Sequence, residues 1–204
     1  MPKVSDEYRA ERREQIIQAA MVCFERDGFH AASMDDVIAE VGLSAGAVYR
    51  YFPGKDAIVS GVVQYALGAV GRVLSEAADT DRAATPSGAV DVALEKLEEL
   101  RFSHTVKPER IALFAWSEAL RNEALHREVT IGLGQVRAAI QSLVLRWQQS
   151  GLVQPDADPQ EIGLAFLAWI PGFFIQHHVA GIVQRDQFVR GVAGLLNPVR
   201  DPIA

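Results

Sequence analysis

The sequence predicts an all-α protein of about nine helices, with an N-terminal three-helix, helix-turn-helix domain followed by a helical second domain. Three observations predict it. Apolar residues recur at three- and four-residue spacings along nearly all of the 204 residues. No strand-like alternation persists, and no hairpin dipeptide sits between apolar runs. Gly, Pro and cap-type Ser or Asp residues punctuate the periodic stretches at helical intervals.

The first helix is expected from about Ser5 to Asp27, with Ile16, Ala20 and Phe24 on one face. Gly28 is its stop. Ser33 stands three residues before Asp36, a capping-box spacing. The helix it starts ends near Val41, and Gly42 supplies the turn. Ser44 caps a third, very short helix to about Phe52, and Pro53-Gly54 breaks the chain. A long helix from Lys55 carries Val59, Val62, Val63, Ala66, Val70, Val73, Leu74 and Ala77 as a stripe. Thr85-Pro86 opens a helix with Val90, Leu94, Leu97 and Leu100. Pro108 opens another, Ile111 to about Leu120, apolar on most faces and therefore expected to be central. Leu125, Val129, Leu133, Val136, Ile140, Leu143 and Trp147 form the next stripe, ended by Gly151. Asp158 and Pro159 start an apolar helix over about 159–181. A last helix, about 185–196, carries Phe188, Val192, Leu195 and Leu196. The break at Pro53-Gly54 places the domains at 1–54 and 55–204.

Composition narrows the function. One Cys excludes a disulfide framework and a Cys-based zinc site, and Cys23 beside Phe24 reads as a small apolar packer. The adjacent His177 and His178 point about 100° apart on a helix and chelate one metal poorly. No metal and no cofactor are expected. No nucleophile elbow, phosphate loop or paired Cys is present, so an enzyme is not expected. The polar start of the chain carries no apolar leader segment, and the expected compartment is the cytoplasm. Ile162 to Gln184 is free of Asp, Glu, Lys and Arg, and those 23 residues are long enough for a bilayer. Pro171-Gly172, Gln176, His177 and His178 instead favour a buried helix or a subunit interface, with no membrane partner. The net charge of −6 excludes a broad positive coat. Residues 1–60 hold seven basic and ten acidic side chains. A local basic cluster remains in Lys3, Arg9, Arg12 and Arg13, enough for a small nucleic-acid footprint.

The informative stretch is Ser33 to Phe52. Two short helices joined by a Gly-containing turn make a helix-turn-helix. Val37 and Val41 face inward from its first helix, Val48 and Phe52 from its second. Small residues then stand at the start of the second helix, where they let the backbone come close to DNA. The run Ile16-Ile17-Gln18-Ala19-Ala20, Phe24, Gly28-Phe29, Ser33 to Ala39, Gly42-Leu43-Ser44, Gly46 to Phe52 and Lys55-Asp56 resembles the DNA-binding domain of the TetR family of transcriptional regulators. The resemblance covers roughly residues 9–63. Beyond it the chain is similar to the family in length, in its all-helical pattern and in the junction from Gly151 to Asp158-Pro159.

The resemblance implies a homodimer that represses by occupying a palindromic operator in double-stranded DNA and lets go when a small-molecule effector binds. Carried onto this chain, it implies backbone-phosphate contacts from Ser33, Ser44, Tyr49, Tyr51 and Lys55, and a base-facing set of Ala45, Gly46, Ala47 and Arg50. The family often has Lys where this chain has Ala45. Readout then shifts toward Arg50, the Ala47 methyl and DNA shape. An apolar effector pocket is expected between the helices beginning near Lys55, Pro86, Pro108 and Glu123. Its lining would come from Phe102, Phe114, Trp116, Ser117, Trp147, Phe166 and Trp169, with His104, Glu118, Arg121 or His177 as further polar orienters. A hydrophobic ligand is favoured, or a cationic one if Glu118 faces inward. The uncharged run implies dimerisation through the last two helices, with Phe173, Phe174, His177, Phe188 and Leu195 at the interface. A rival reading keeps the fold and drops the effector, as in a structural chromosome-binding or division-linked protein. A cavity among the second-domain aromatics separates the two.

Overall fold

The structure, a computed structural model, describes residues 6–100, 106 and 108–196. Its helices are α1 (Asp6–Ala31), α2 (Met34–Val41), α3 (Ala45–Tyr51), α4 (Lys55–Ala78), α5 (Pro86–Glu99), α6 (Pro108–Ala119), α7 (Glu123–Gln149), α8 (Pro159–Leu167), α9 (Trp169–Phe174) and α10 (Arg185–Leu196). A 3₁₀ turn covers Asp81–Ala84 and a π turn Ile175–Val179. The fold is all-α, and no strand forms among the described residues. The chain gathers into two compact units, residues 1–69 with 100–132, and residues 70–99 with 133–204. The boundary expected after Gly54 falls inside the first unit.

In the first unit, α1 breaks at Gly28, whose φ of 81° is a conformation that L side chains rarely adopt. One further turn then carries the chain to Ala31. Ile16, Ile17, Met21 and Phe24 of α1 are buried, as are Val37 of α2, Val48 of α3, Phe52, and Ile58 and Val62 of α4. Ile111 of α6 and Leu125 of α7 are buried with them, and each of these is at most 2% exposed. Phe29 sits edge-on to Phe24 at 4.7 Å and tilted against Phe114 at 5.3 Å. Glu25–Arg110 at 3.5 Å and His30–Glu118 at 3.2 Å tie α1 to α6 around that aromatic contact. The helix from Pro108 is therefore less central than its composition implies. It buries Ile111 and Ala115, while Ser117 and Leu120 face solvent.

In the second unit, α5 buries Val90, Leu94 and Leu97. The Trp147 indole donates to the Ala83 carbonyl at 2.9 Å and pins the 3₁₀ turn to α7. Phe166 stacks beside Trp147 at 5.3 Å and beside Trp169 at 5.1 Å. Across α5, Arg82 binds Asp91 and Glu95, and Arg185 reaches Asp91, Glu95 and Glu98 at 3.1–3.6 Å. The bonds from Arg82 hold the Glu95 carboxyl below its ordinary range. Two guanidinia thus fix the 3₁₀ turn and the start of α10 on one face of α5.

The uncharged run is not one helix. Pro171 supplies no N–H to the ladder. The segment divides into α8, α9 and the π turn, and Gly181 turns the chain with φ 66°. Lys55–Ala78 and Pro159–Val179 are long and apolar enough to cross a membrane. Both also bury side chains inside their units, among them Val62 and Val63 of the first and Phe166, Phe173 and Phe174 of the second.

Phe52 closes the core beneath α3, and a Cβ on Gly61 would stand 2.9 Å from its ring. Phe52→Ala is expected to cost about 3–5 kcal/mol in urea unfolding of the first unit. A loss near zero would mean that α3 does not depend on this contact.

Candidate nucleic-acid interface

The helix-turn-helix is set by three local devices. Ser33 Oγ accepts from the Asp36 amide at 3.2 Å, while the Asp36 carboxylate accepts from the Ser33 amide at 2.7 Å and from Ser33 Oγ at 2.6 Å. This is a capping box closed by one extra bond. The Ser33 hydroxyl, and then its amide, hold the Asp36 carboxyl below the usual carboxylate range. Gly42, with φ 68°, ends α2 in the left-handed region and donates to the Ile38 carbonyl at 3.2 Å. Ser44 caps α3 by accepting from the Ala47 amide at 3.3 Å.

These devices present α3 with Val48 buried beneath it and Ala45, Gly46, Tyr49 and Arg50 exposed. Ala47 and Tyr51 are half-buried. Nothing lies within 4 Å of where a Gly46 Cβ would be, so the first turn faces open space. The two capping serines differ chemically. The Ser33 hydroxyl proton is committed to Asp36, so that hydroxyl has no proton to give a phosphate. Ser44 only accepts within its cap and keeps its proton for a ligand. Lys55 Nζ donates to the His30 carbonyl at 2.8 Å, which ties the start of α4 to the end of α1 and leaves two ammonium hydrogens.

One feature escapes a reading of the sequence. Tyr8, Arg9, Ala10 and Arg13 of α1 meet Arg50 and Tyr51 of α3 around an open cleft of about 440 Å³. The sequence signals only the α1 side, through the basic cluster of Lys3, Arg9, Arg12 and Arg13 and the four-residue spacing that puts Arg9 and Arg13 on one face of α1; it does not bring Arg50 beside them. The acidic Glu11, Glu14 and Glu40 lie around a different groove, between α1 and α2.

The residues expected to line a pocket are divided between the two units. Phe102 and His104 lie outside the described residues. Phe114, Trp116, Ser117, Glu118 and Arg121 belong to the first unit, where Phe114 stacks on Phe29 and Glu118 pairs with His30. Trp147, Phe166 and Trp169 form an aromatic chain in the second unit. Beside them is a closed apolar space of about 20 Å³ lined by Leu74, Ala77, Ala93, Ile140, Phe166 and Ile170. That holds about one water molecule.

Two residues expected at a subunit interface are core residues of the single chain. Phe173 is 0% and Phe174 4% exposed, because Phe173 packs between His177 at 5.0 Å and Phe188 at 5.3 Å. His177 Nδ1 lies 2.7 Å from the Val183 carbonyl. Leu195 is 79% exposed, and the outward apolar surface also holds Leu164, Ile175, Val179, Ile182 and Leu196.

Comparison with known proteins gives a family match over each of two stretches of the sequence. Residues 16–62 match the family described as bacterial regulatory proteins, tetR family, and residues 103–197 match the BetI-type transcriptional repressor C-terminal family. The HTH-type transcriptional regulator YfiR of Bacillus subtilis (strain 168) is 27% identical over 95% of this chain and 91% of its own length. The HTH-type transcriptional regulator BetI of Escherichia coli O17:K52:H18 is 25% identical over 89% and 88%. A TetR-family transcriptional regulator from Cytophaga hutchinsonii shares the fold, with TM-score 0.76 and 19% identity over 95% of this chain and 96% of that one.

Because the Asp36 carboxyl is lowered in the folded chain, its contribution is complete above its unfolded pKa and is lost as pH falls through the folded value. Asp36→Asn is expected to flatten the acid side of the stability-against-pH curve while leaving α3 in place at neutral pH. An unchanged acid limb in thermal melts would remove Asp36 from the capping account.

Proposed function

The chain belongs to the TetR family of regulators, and from that premise we propose that this helix-turn-helix transcriptional regulator is a homodimeric repressor that leaves a palindromic operator when a small hydrophobic molecule binds. The observation that carries the reading is the open, capped face of α3, with Ser44, Tyr49, Tyr51 and Lys55 around its small residues. Ala45, Gly46 and Ala47 would meet base edges in the major groove, and the four polar side chains would set register on the phosphates. The match of residues 103–197 to a BetI-type repressor C-terminal family supports repression and a regulatory second part.

The effector reading rests on the second unit. Its closed space beside Phe166 is too small for anything beyond a water-sized molecule. An effector there would bind a looser conformer, in which the alanine-lined space beside the Trp147–Phe166–Trp169 chain opens. Preference for that conformer is what shifts the population away from DNA. The side chains around the space are apolar, and Glu118 is engaged with His30. Both favour a hydrophobic over a cationic ligand.

Dimerisation would use the outward apolar surface of α8, the π turn, the segment that follows it and α10. Leu164, Ile175, Val179, Ile182 and Leu195 are 47–79% exposed there. A second copy covering them removes that surface from water, and a two-fold interface repeats the same patch on both subunits.

Two measurements test the reading. In fluorescence anisotropy against duplex DNA, Tyr49→Ala and Lys55→Ala are expected to weaken binding to all sequences alike, since both sit on the backbone set. Full binding by both variants contradicts the assignment. In light scattering, the wild-type chain is expected at twice its 22.3 kDa subunit mass, and Leu195→Glu is expected to shift it toward the monomer. A wild-type monomer at micromolar concentration contradicts the dimer.

A further inference from the structure

We propose that the cleft between α1 and α3 is a phosphodiester clamp, in which Arg9, Arg13 and Arg50 hold one DNA backbone phosphate beside the groove that α3 enters. The proposal rests on the DNA-binding reading and adds residues and a role to it. Among the described residues six line the cleft, and none of these is acidic: Tyr8, Arg9, Ala10, Arg13, Arg50 and Tyr51. Elsewhere among the described residues, Arg26, Arg82, Arg110, Arg127, Arg185 and Arg190 are each paired with a carboxylate, whereas Arg12 and Arg146 donate to neutral oxygens and Arg72, Arg121 and Arg137 stand singly on the surface. Among the described residues, the three arginines of the cleft have no such partner. Three unneutralised charges thus line one cleft in a protein whose net charge is −6. That arrangement costs repulsion between like charges unless an anion enters.

The surroundings fix the clamp's shape. The Arg13 guanidinium lies over the Phe52 ring at 5.1 Å, so it is held by the same side chain that anchors α3. Arg12 is drawn aside, donating to Tyr8 Oη at 3.0 Å and to Gln15 at 2.6 Å, with its guanidinium 5.0 Å over the Tyr8 ring. Tyr8 thereby stands as one wall, and Tyr51 as the other. A guanidinium presents a planar fork of donors that matches phosphate oxygens, and a tyrosine hydroxyl adds a further donor. Arg50 stands in the last turn of α3, whereas base edges are met by residues of a recognition helix's N-terminal part. Its place on the cleft rim assigns it to the backbone and takes it out of the base-facing set. The clamp couples α1 directly to DNA and confines the positive footprint of an acidic protein to one seam.

The test uses the full chain and one duplex that the wild type binds, with affinity measured against salt. Each phosphate neutralised contributes roughly 0.9 to the slope of log affinity against log salt. Arg9→Gln and Arg50→Gln are each expected to weaken binding equally on specific and random duplexes and to lower the slope, by at most about two for a dimer with two clefts of one phosphate each. Arg9→Lys is expected to restore most of the slope. Arg9 is exposed, so its variants leave the core intact, and circular dichroism verifies this. Unchanged slopes in variants of a wild type that binds DNA overturn the clamp alone. Loss of sequence preference in Arg50→Gln with the slope retained overturns the assignment of Arg50 to the backbone. Inorganic phosphate bound tightly by the free protein and lost in Arg9→Gln, with the DNA slope unchanged, would make the cleft a free-anion site and overturn the proposal. A wild type that binds no duplex overturns the DNA-binding reading, and the clamp with it.

Discussion

A helix of seven residues does not hold itself together, and everything the DNA-facing surface does depends on how α3 is held. Helix nucleation fixes several residues for one hydrogen bond, so short helices in water are unstable without tertiary support. Here the support is the burial of Val48 and Phe52 against α1, α2 and α4. That burial pulls one stripe of α3 inward, and its narrowness leaves Ala45, Gly46, Tyr49 and Arg50 outside. Phe52 carries a second load, since Arg13 lies over its ring and Gly61 leaves the room it occupies. The anchor of the recognition helix and the position of one arginine of the cationic cleft are therefore one packing event.

Electrostatics follow from that arrangement. The first sixty residues are net acidic, which taken as a sum discourages DNA. The structure sorts the charges by place. Asp36 is consumed by its capping box, Glu25 and Glu118 are paired on the α6 side, and Glu11, Glu14 and Glu40 lie around another groove. Three of the arginines without carboxylate partners, Arg9, Arg13 and Arg50, line one cleft between α1 and α3. In the second unit the opposite holds. Arg82 and Arg185 are absorbed by Asp91, Glu95 and Glu98, and their work is to set α10 on α5.

Much of this was legible before any coordinates, for local reasons. The Ser33/Asp36 box, the stops at Gly28 and Gly42, the Ser44 cap and the inward pair Val48 and Phe52 are short-range patterns with one physical solution. What escaped depends on residues far apart in sequence. Arg9 and Arg50 are 41 positions apart and meet only through the packing of α1 on α3. The Arg185 network joins α10 to α5 across nearly ninety residues. Phe173 and Phe174 sit in a run whose lack of charge marks burial, without saying whether the cover comes from the same chain or a second one. The chain itself covers both, and the residues left outward, Ile182 and Leu195 among them, are the ones an apolar tally weighs no differently. The run also looks like one helix until Pro171 is considered as a missing donor.

The most direct test of the central claim is to let the full-length protein choose its own site from a pool of random duplexes and to sequence what it retains. The account predicts an inverted repeat, because two copies related by a two-fold axis present two α3 helices. The half-site centres should be about 34–36 Å apart or at a multiple of that spacing. Retained sequences without a repeat, or no enrichment over the starting pool, would contradict a dimer that reads DNA through α3.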